Sequence, residues 1–376
     1  MKFNKVLSFG LALSLMFGIS ACKNNIDVTD KNNIDVTDKN NKDNIDEEKT
    51  ANKWESAKVI GTVGDDKIYD GEFIFYFNMN KSQMEKDADL EGKSDEEKSK
   101  YWESENGNEN NKQKLIDKTF DDLAKLKVLL RLAKQENVKL LENDVMQIER
   151  NIYSFIKEKA NENQEEAEKL MKEMYGVSIE EYRWIYEDYY IAYYRYANFK
   201  TEKIEVSDKE IEERFERDKE KYKKVNIRNV LLYTIDVDTQ EPLEEDKIKQ
   251  KRQLAEDILK RVKDGESIEE LAKQYSENPQ LKITGGNETI GSGETVAEFE
   301  NWVFNAKKGD IGLIETSYGI HVVKVIKKFD AALGEEEKST IKKELQKEKF
   351  EEMIEKMKEK NPLVKNEEVL KTLDLF

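Results

Sequence analysis

Along most of this chain apolar residues return every three or four positions, and only in a few short stretches do they alternate or run together. The first spacing is that of helices burying one stripe, the second that of strands. Val59-Ile60-Gly61-Thr62-Val63 and Lys67-Ile68-Tyr69 flank the turn cluster Gly64-Asp65-Asp66 and predict a short hairpin. Asp70-Gly71-Glu72 then opens an aromatic helix through Phe73, Phe75, Tyr76, Phe77 and Met79. Residues 81–107 are polar and poor in glycine, which predicts a loop or a frayed helix.

Apolar spacing resumes with Leu115, Phe120, Leu123, Leu126, Leu129 and Leu130, predicting a helix over 112–135. Further helices are expected over 142–160, 164–175 and 178–200, the last with a capping-box start at Ser178-Ile179-Glu180-Glu181. That last helix carries Tyr182, Trp184, Tyr186, Tyr189, Tyr190, Tyr193, Tyr194 and Tyr196. Rings with a polar tip suit a groove that grips unfolded segments, and they equally suit ordinary helix packing with some tyrosines exposed. Another helix starts at Ser207 and leads to Tyr222.

The pattern changes at Val225. A strand over 226–232 is followed by a helix over 246–263 that Gly265 stops, a second helix over 267–276, the pair Gly285-Gly286, and a third helix around Phe299–Phe304. Gly309-Asp310-Ile311-Gly312 turns the chain into a closing strand with His321. An amphipathic helix over 334–360 follows, Asn361-Pro362 ends it, and an extended tail runs through Val364 and Leu370.

Composition removes several classes of function. With 39% charged residues and a net charge of −17, the chain has no footing for phosphate binding, and its lysines alternate with glutamates as solvated helix faces. No nucleic-acid partner is expected. One cysteine and one histidine leave no internal disulfide and no Cys/His metal constellation, and no phosphate-cradling glycine motif is present. Neither a cofactor nor a metal is therefore expected.

The start of the chain reads as an export signal. Lys2 and Lys5 precede an apolar run from Val6 to Ile19, and small residues end in Ile19-Ser20-Ala21-Cys22. The run is shorter than the roughly 20 residues a spanning helix needs. Its end resembles a bacterial lipobox, which implies removal of residues 1–21 and diacylglycerol lipidation of Cys22. Behind it the segment Asn24–Lys31 repeats as Asn32–Lys39, too polar for a core, so residues 22–53 read as a lipidated flexible tether.

The order and punctuation from Val225 to Lys328, with a lone imidazole in Thr316-Ser317-Tyr318-Gly319-Ile320-His321, resemble the parvulin-type prolyl isomerases. The strand–turn–strand–helix entrance before it resembles the SurA and PrsA chaperone modules. The resemblance implies an α+β fold: a mostly helical discontinuous lobe with an inserted parvulin-like domain built on a four-stranded, mostly antiparallel sheet. It implies a helical chaperone lobe over 54–222, an isomerase domain over 223–329, and a C-terminal helix and strand, 330–376, returning to the lobe.

Carried across residue by residue, the family's site implies His321 as the imidazole, Asn229 where a first-strand histidine is usual, and Asn278 where Asp or Cys is usual. Phe299 and Phe304 form or support the proline-pocket wall, Thr295 stands where Met is common, and Tyr318 precedes the turn glycine. Asparagines can keep an Asn229–His321–Asn278 hydrogen-bond network but hold no charge, and Thr295 removes a flexible apolar wall. Reduced or absent isomerase turnover is the expectation. The acidic residues Asp236, Asp238, Glu241, Glu244 and Glu245 argue against phosphopeptide specificity.

The function implied is that of a PrsA-type foldase, lipid-anchored on the extracytoplasmic face of a Gram-positive-like membrane, assisting secreted proteins after translocation. Its partners would be unfolded or partly folded secreted proteins, with a homodimer through the helical lobe left open. A holdase whose insert is inactive is the alternative. A solute-binding lipoprotein is disfavoured because the long helical run over 112–222 lacks repeated strand–helix alternation.

Overall fold

The computed structural model describes residues 53–104 and 110–376. The expected signal, Cys22 and all but the end of the tether lie outside the described residues. The chain divides into two compact units, Met1–Ile204 with Lys349–Phe376, and Glu205–Glu348.

In the first unit β1 (Val59–Val63) and β2 (Asp66–Tyr69) pair antiparallel as the hairpin. Helix α1 (Asp70–Asp87) follows, and α2 (Asp95–Glu103) occupies part of the stretch expected to be a loop or a frayed helix. A local cap favours the helix. Ser94 accepts from the Glu97 N–H, the Glu97 carboxylate accepts from the Ser94 N–H at 3.0 Å, and Trp102 gives the turn an apolar anchor in the core.

Helices α3 (Asn111–Gln135), α4 (Glu142–Ala160), α5 (Gln164–Tyr175) and α6 (Ile179–Tyr189) complete the layer, and α6 runs on through a π-helical segment, Tyr190–Ala197, into α7 (Asn198–Lys203). Phe73 of α1 meets Phe120 of α3 at a centroid distance of 4.7 Å, and Phe75 lies among Tyr175, Tyr182 and Tyr186. Much of the aromatic helix is therefore core: Tyr182, Tyr186 and Tyr196 are buried, whereas Tyr194 stays 59% exposed.

The second unit opens with α8 (Asp208–Arg217), capped by Ser207. Then come β3 (Lys224–Tyr233), α9 (Glu245–Lys263), α10 (Ile268–Tyr275), α11 (Pro279–Thr284), β4 (Asn287–Gly291), α12 (Ala297–Asn305), β5 (Ile311–Glu315) and β6 (Gly319–Phe329). The strands form one antiparallel sheet in the order β4-β3-β6-β5. Strand periodicity splits β3 between two cores. Val230 and Leu232 pack with Ile320 and Val322 against α9 and α10, while Val225 and Ile227 join Val323, Val325, Ile314 and α12 on the other face. The second face is closed by aromatic contact: a Cβ at Gly312 would lie 2.2 Å from the Trp302 indole, so only glycine admits that ring.

Helix α13 (Glu335–Lys360) carries the division between the units. Its Ile341 packs with Ile211 and Phe215 in the second unit, and its Phe350 and Ile354 belong to the core of the first. Asn361 and Pro362 end it, β7 (Leu363–Lys365) pairs antiparallel with β1, and α14 (Glu367–Leu370) follows. The fold class is α+β. Among the described residues no helix is long and apolar enough to cross a membrane.

Candidate active site

The register of the sheet places the imidazole. His321 on β6 stands opposite Leu231 of β3 on one side and Ile314 of β5 on the other, with Asn229 and Thr316 at the two diagonals. Asn229 Oδ1 lies 3.2 Å from His321 Nδ1, and Thr316 Oγ1 lies 3.1 Å from His321 Nε2. Both ring nitrogens are engaged.

Asn229 is itself held from behind. Its N–H donates to the Gly286 carbonyl at 2.8 Å, and Gly286, at φ +76°, passes so close that a Cβ would sit 2.6 Å from the Asn229 carbonyl oxygen. The paired glycines thus serve close backbone approach as well as a left-handed turn. Phe299 of α12 covers the imidazole edge-on, centroids 4.7 Å apart and planes at 61°.

Burial sets the charge. Phe299 is 2% and His321 8% exposed, and desolvation depresses the imidazole to a pKa of about 4. At neutral pH the ring is uncharged, a hydrogen-bonding group rather than an acid. With both nitrogens bonded within the domain, it can present an uncharged ring beside a peptide carbonyl without carrying a proton to or from it.

The structure brings Asn229, His321 and Phe299 together and leaves Asn278 apart. Instead of completing the expected network, the Asn278 side chain caps α11, accepting from the Leu281 N–H at 3.1 Å and donating to the Tyr233 hydroxyl at 3.1 Å. The N-cap position at a Pro-started helix claims its oxygen, and Thr316 takes the second place on the imidazole. Phe304 is partly buried against the same apolar cluster as Phe299. Thr295 is half-buried in the connection ahead of α12. The Tyr318 side chain is about half exposed; its backbone N–H donates to Thr316 Oγ1 at 3.2 Å.

Two members escape sequence reading. Thr316 sits in the quoted segment, and a hairpin with β5 ending just before it would have placed it diagonal to His321. Glu288 on β4 accepts from Asn229 Nδ2 at 2.9 Å. An ionisable residue at an inward strand position was its only signal.

Residues 213–329 match the family model of the PPIC-type PPIase domain. Over 310 residues the chain is 26% identical to the foldase protein PrsA of Caldanaerobacter subterraneus subsp. tengcongensis, covering 80% of this chain and 85% of that protein. The chain carries a parvulin-type prolyl isomerase domain and is similar to a PrsA foldase over most of its length. The foldase protein PrsA 3 of Bacillus anthracis is 32% identical over 119 residues, 31% of this chain and 42% of that protein. The chain thus spans less than half the length of this Bacillus relative. A crystal structure of PrsA from Bacillus anthracis is 18% identical, covers 64% of this chain and 95% of that one, and superposes with a TM-score of 0.29. The match runs from within α8 through the end of β6, so it includes every residue of the imidazole network.

Proposed function

We propose that this chain is a lipid-anchored extracytoplasmic foldase whose isomerase domain turns X–Pro bonds in client segments, with His321, Asn229 and Thr316 as its polar centre and Phe299 and Phe304 as its apolar wall. The uncatalysed barrier is about 18–20 kcal/mol, and a catalyst lowers it by favouring the twisted bond over either planar form. A neutral imidazole beside an aromatic wall does this without a nucleophile, because a carbonyl losing amide resonance is better accommodated where water is excluded.

The observation that carries the reading is the His321 ring, uncharged and bonded through both nitrogens, inside a domain that matches the PPIC-type model. A protease-coupled proline assay on the full chain tests it. Acceleration that falls by an order of magnitude or more in His321→Ala supports the reading; no acceleration in the unsubstituted chain removes it. Anchoring rests on the apolar run before Cys22 and is checked by acyl labelling that Cys22→Ser abolishes.

The near-complete burial of Phe299 favours a second reading, in which the helical lobe holds clients and the insert is a platform. It requires aggregation suppression to persist after residues 205–348 are replaced by a short linker, and loss of suppression would rule it out.

A further inference from the structure

The orientation of the imidazole can be derived from the groups that bracket it. Glu288 is opposite Ile227 in the β3–β4 register, so its side chain emerges on the same face as Asn229, and its Oε2 accepts from Asn229 Nδ2 at 2.9 Å. A carboxylate only accepts. The amide must therefore turn its nitrogen to Glu288 and its oxygen to His321, and an amide oxygen facing Nδ1 at 3.2 Å requires the ring proton to be there.

The opposite end of the ring is compatible with the same proton placement. Thr316 Oγ1 already accepts from the N–H groups of Tyr318 at 3.2 Å and Gly319 at 3.3 Å. Its hydroxyl hydrogen has two acceptors in reach, His321 Nε2 at 3.1 Å and the Gly319 carbonyl at 3.3 Å, and donation to the nearer one matches an unprotonated Nε2.

We infer that Glu288 is a positioning residue: acting through the Asn229 amide, it fixes His321 in the Nδ1–H tautomer and so decides which ring nitrogen carries the proton in the isomerase site. The inference rests on the reading of that site given above, but its readout does not. Glu288 touches no reacting bond; its reach is through one amide that is 3% exposed and has no free rotation without breaking bonds at both ends. Burial is the larger influence and raises the Glu288 carboxyl above its ordinary range, while the Asn229 hydrogen bond acts in the opposite direction.

Because the chain holds one histidine, nitrogen-15 labelling of the full chain gives two imidazole resonances with no assignment problem. In the unsubstituted protein near pH 7 the inference expects one pyrrole-type nitrogen at Nδ1 and one pyridine-type nitrogen at Nε2. In Glu288→Leu the two resonances should converge as tautomers mix, with turnover falling roughly three- to tenfold. Glu288→Gln, which keeps an acceptor for Asn229, should restore both toward the starting values, and it covers the case in which the leucine variant fails to fold. Unchanged resonances in Glu288→Leu, or an Nε2–H tautomer in the unsubstituted protein, would overturn the inference. A tautomer response without isomerase activity in the unsubstituted chain would sink the activity and leave the positioning role standing.

Discussion

The edge of the Phe299 ring rests on the His321 imidazole, with centroids 4.7 Å apart and planes inclined at 61°. The same ring is part of the apolar cluster formed with Ile227, Val303, Ile314 and Val323. One side chain thus serves packing and site at once, and substitutions should separate the two. Phe299→Ala is expected to cost about 3–5 kcal/mol in urea unfolding through the cavity it leaves. Phe299→Leu should retain more than half of that stability while isomerase turnover drops at least tenfold. Equal activity in Phe299→Leu and the parent would show the ring to be packing alone.

Histidine burial has a pH consequence. His321 titrates near 4 in the folded protein and near 6.5 when unfolded, so between these values the unfolded chain binds more protons. Its contribution is complete above pH 6.5, is lost as pH falls toward 4, and changes no further below that; the whole span corresponds to about 3 kcal/mol. The difference in unfolding free energy between the parent and His321→Gln, followed from pH 7.5 to 3.5, should shrink over that window. A difference independent of pH would mean the imidazole is not buried as described.

Gly286 should tolerate no side chain. At φ +76°, with the Asn229 carbonyl oxygen 2.6 Å from where a Cβ would stand, Gly286→Ala is expected to destabilise the isomerase domain by about 2–3 kcal/mol and to displace Asn229 from His321. Thermal unfolding together with the histidine nitrogen resonances would register both effects.

Asn278 provides a contrast. As a helix cap its loss in Asn278→Ala should cost about 1 kcal/mol with isomerase turnover within twofold of the parent. A fall of tenfold or more at unchanged stability would return Asn278 to the catalytic group.

In the helical unit the Lys127 ammonium meets the Glu72 carboxylate at 2.5 Å, with both side chains almost fully buried. Removing one partner leaves the other charged and desolvated. Lys127→Met alone should cost about 3–5 kcal/mol, and adding Glu72→Gln should recover part of it, as a double-mutant cycle in urea would measure.

Helix spans, the β1–β2 hairpin and the strand carrying His321 are local matters, and spacing alone made them legible. A three- or four-residue apolar period or a Ser-x-x-Glu cap acts over one or two turns. The polar segment 81–107 left loop and frayed helix both open because the helix Asp95–Glu103 buries only Trp102 fully, too little to leave a periodic trace. Asn229 and His321 were expected as partners only through the resemblance to the parvulin family.

What the amino-acid order determined by itself was the long helices, the first hairpin and the presence of one imidazole in a turn-to-strand segment. Which groups touch that imidazole was decided only by tertiary structure. Asn278 and Thr316 are both small polar residues within reach by chain position, yet register put Thr316 on Nε2 and a helix N-terminus drew Asn278 away. Glu288 entered because antiparallel pairing of β3 and β4 turns its side chain to the face of Asn229. Hydrogen bonds act over about 3 Å, and such distances between residues far apart in the chain are set by strand register and packing, not by any local preference of the residues themselves.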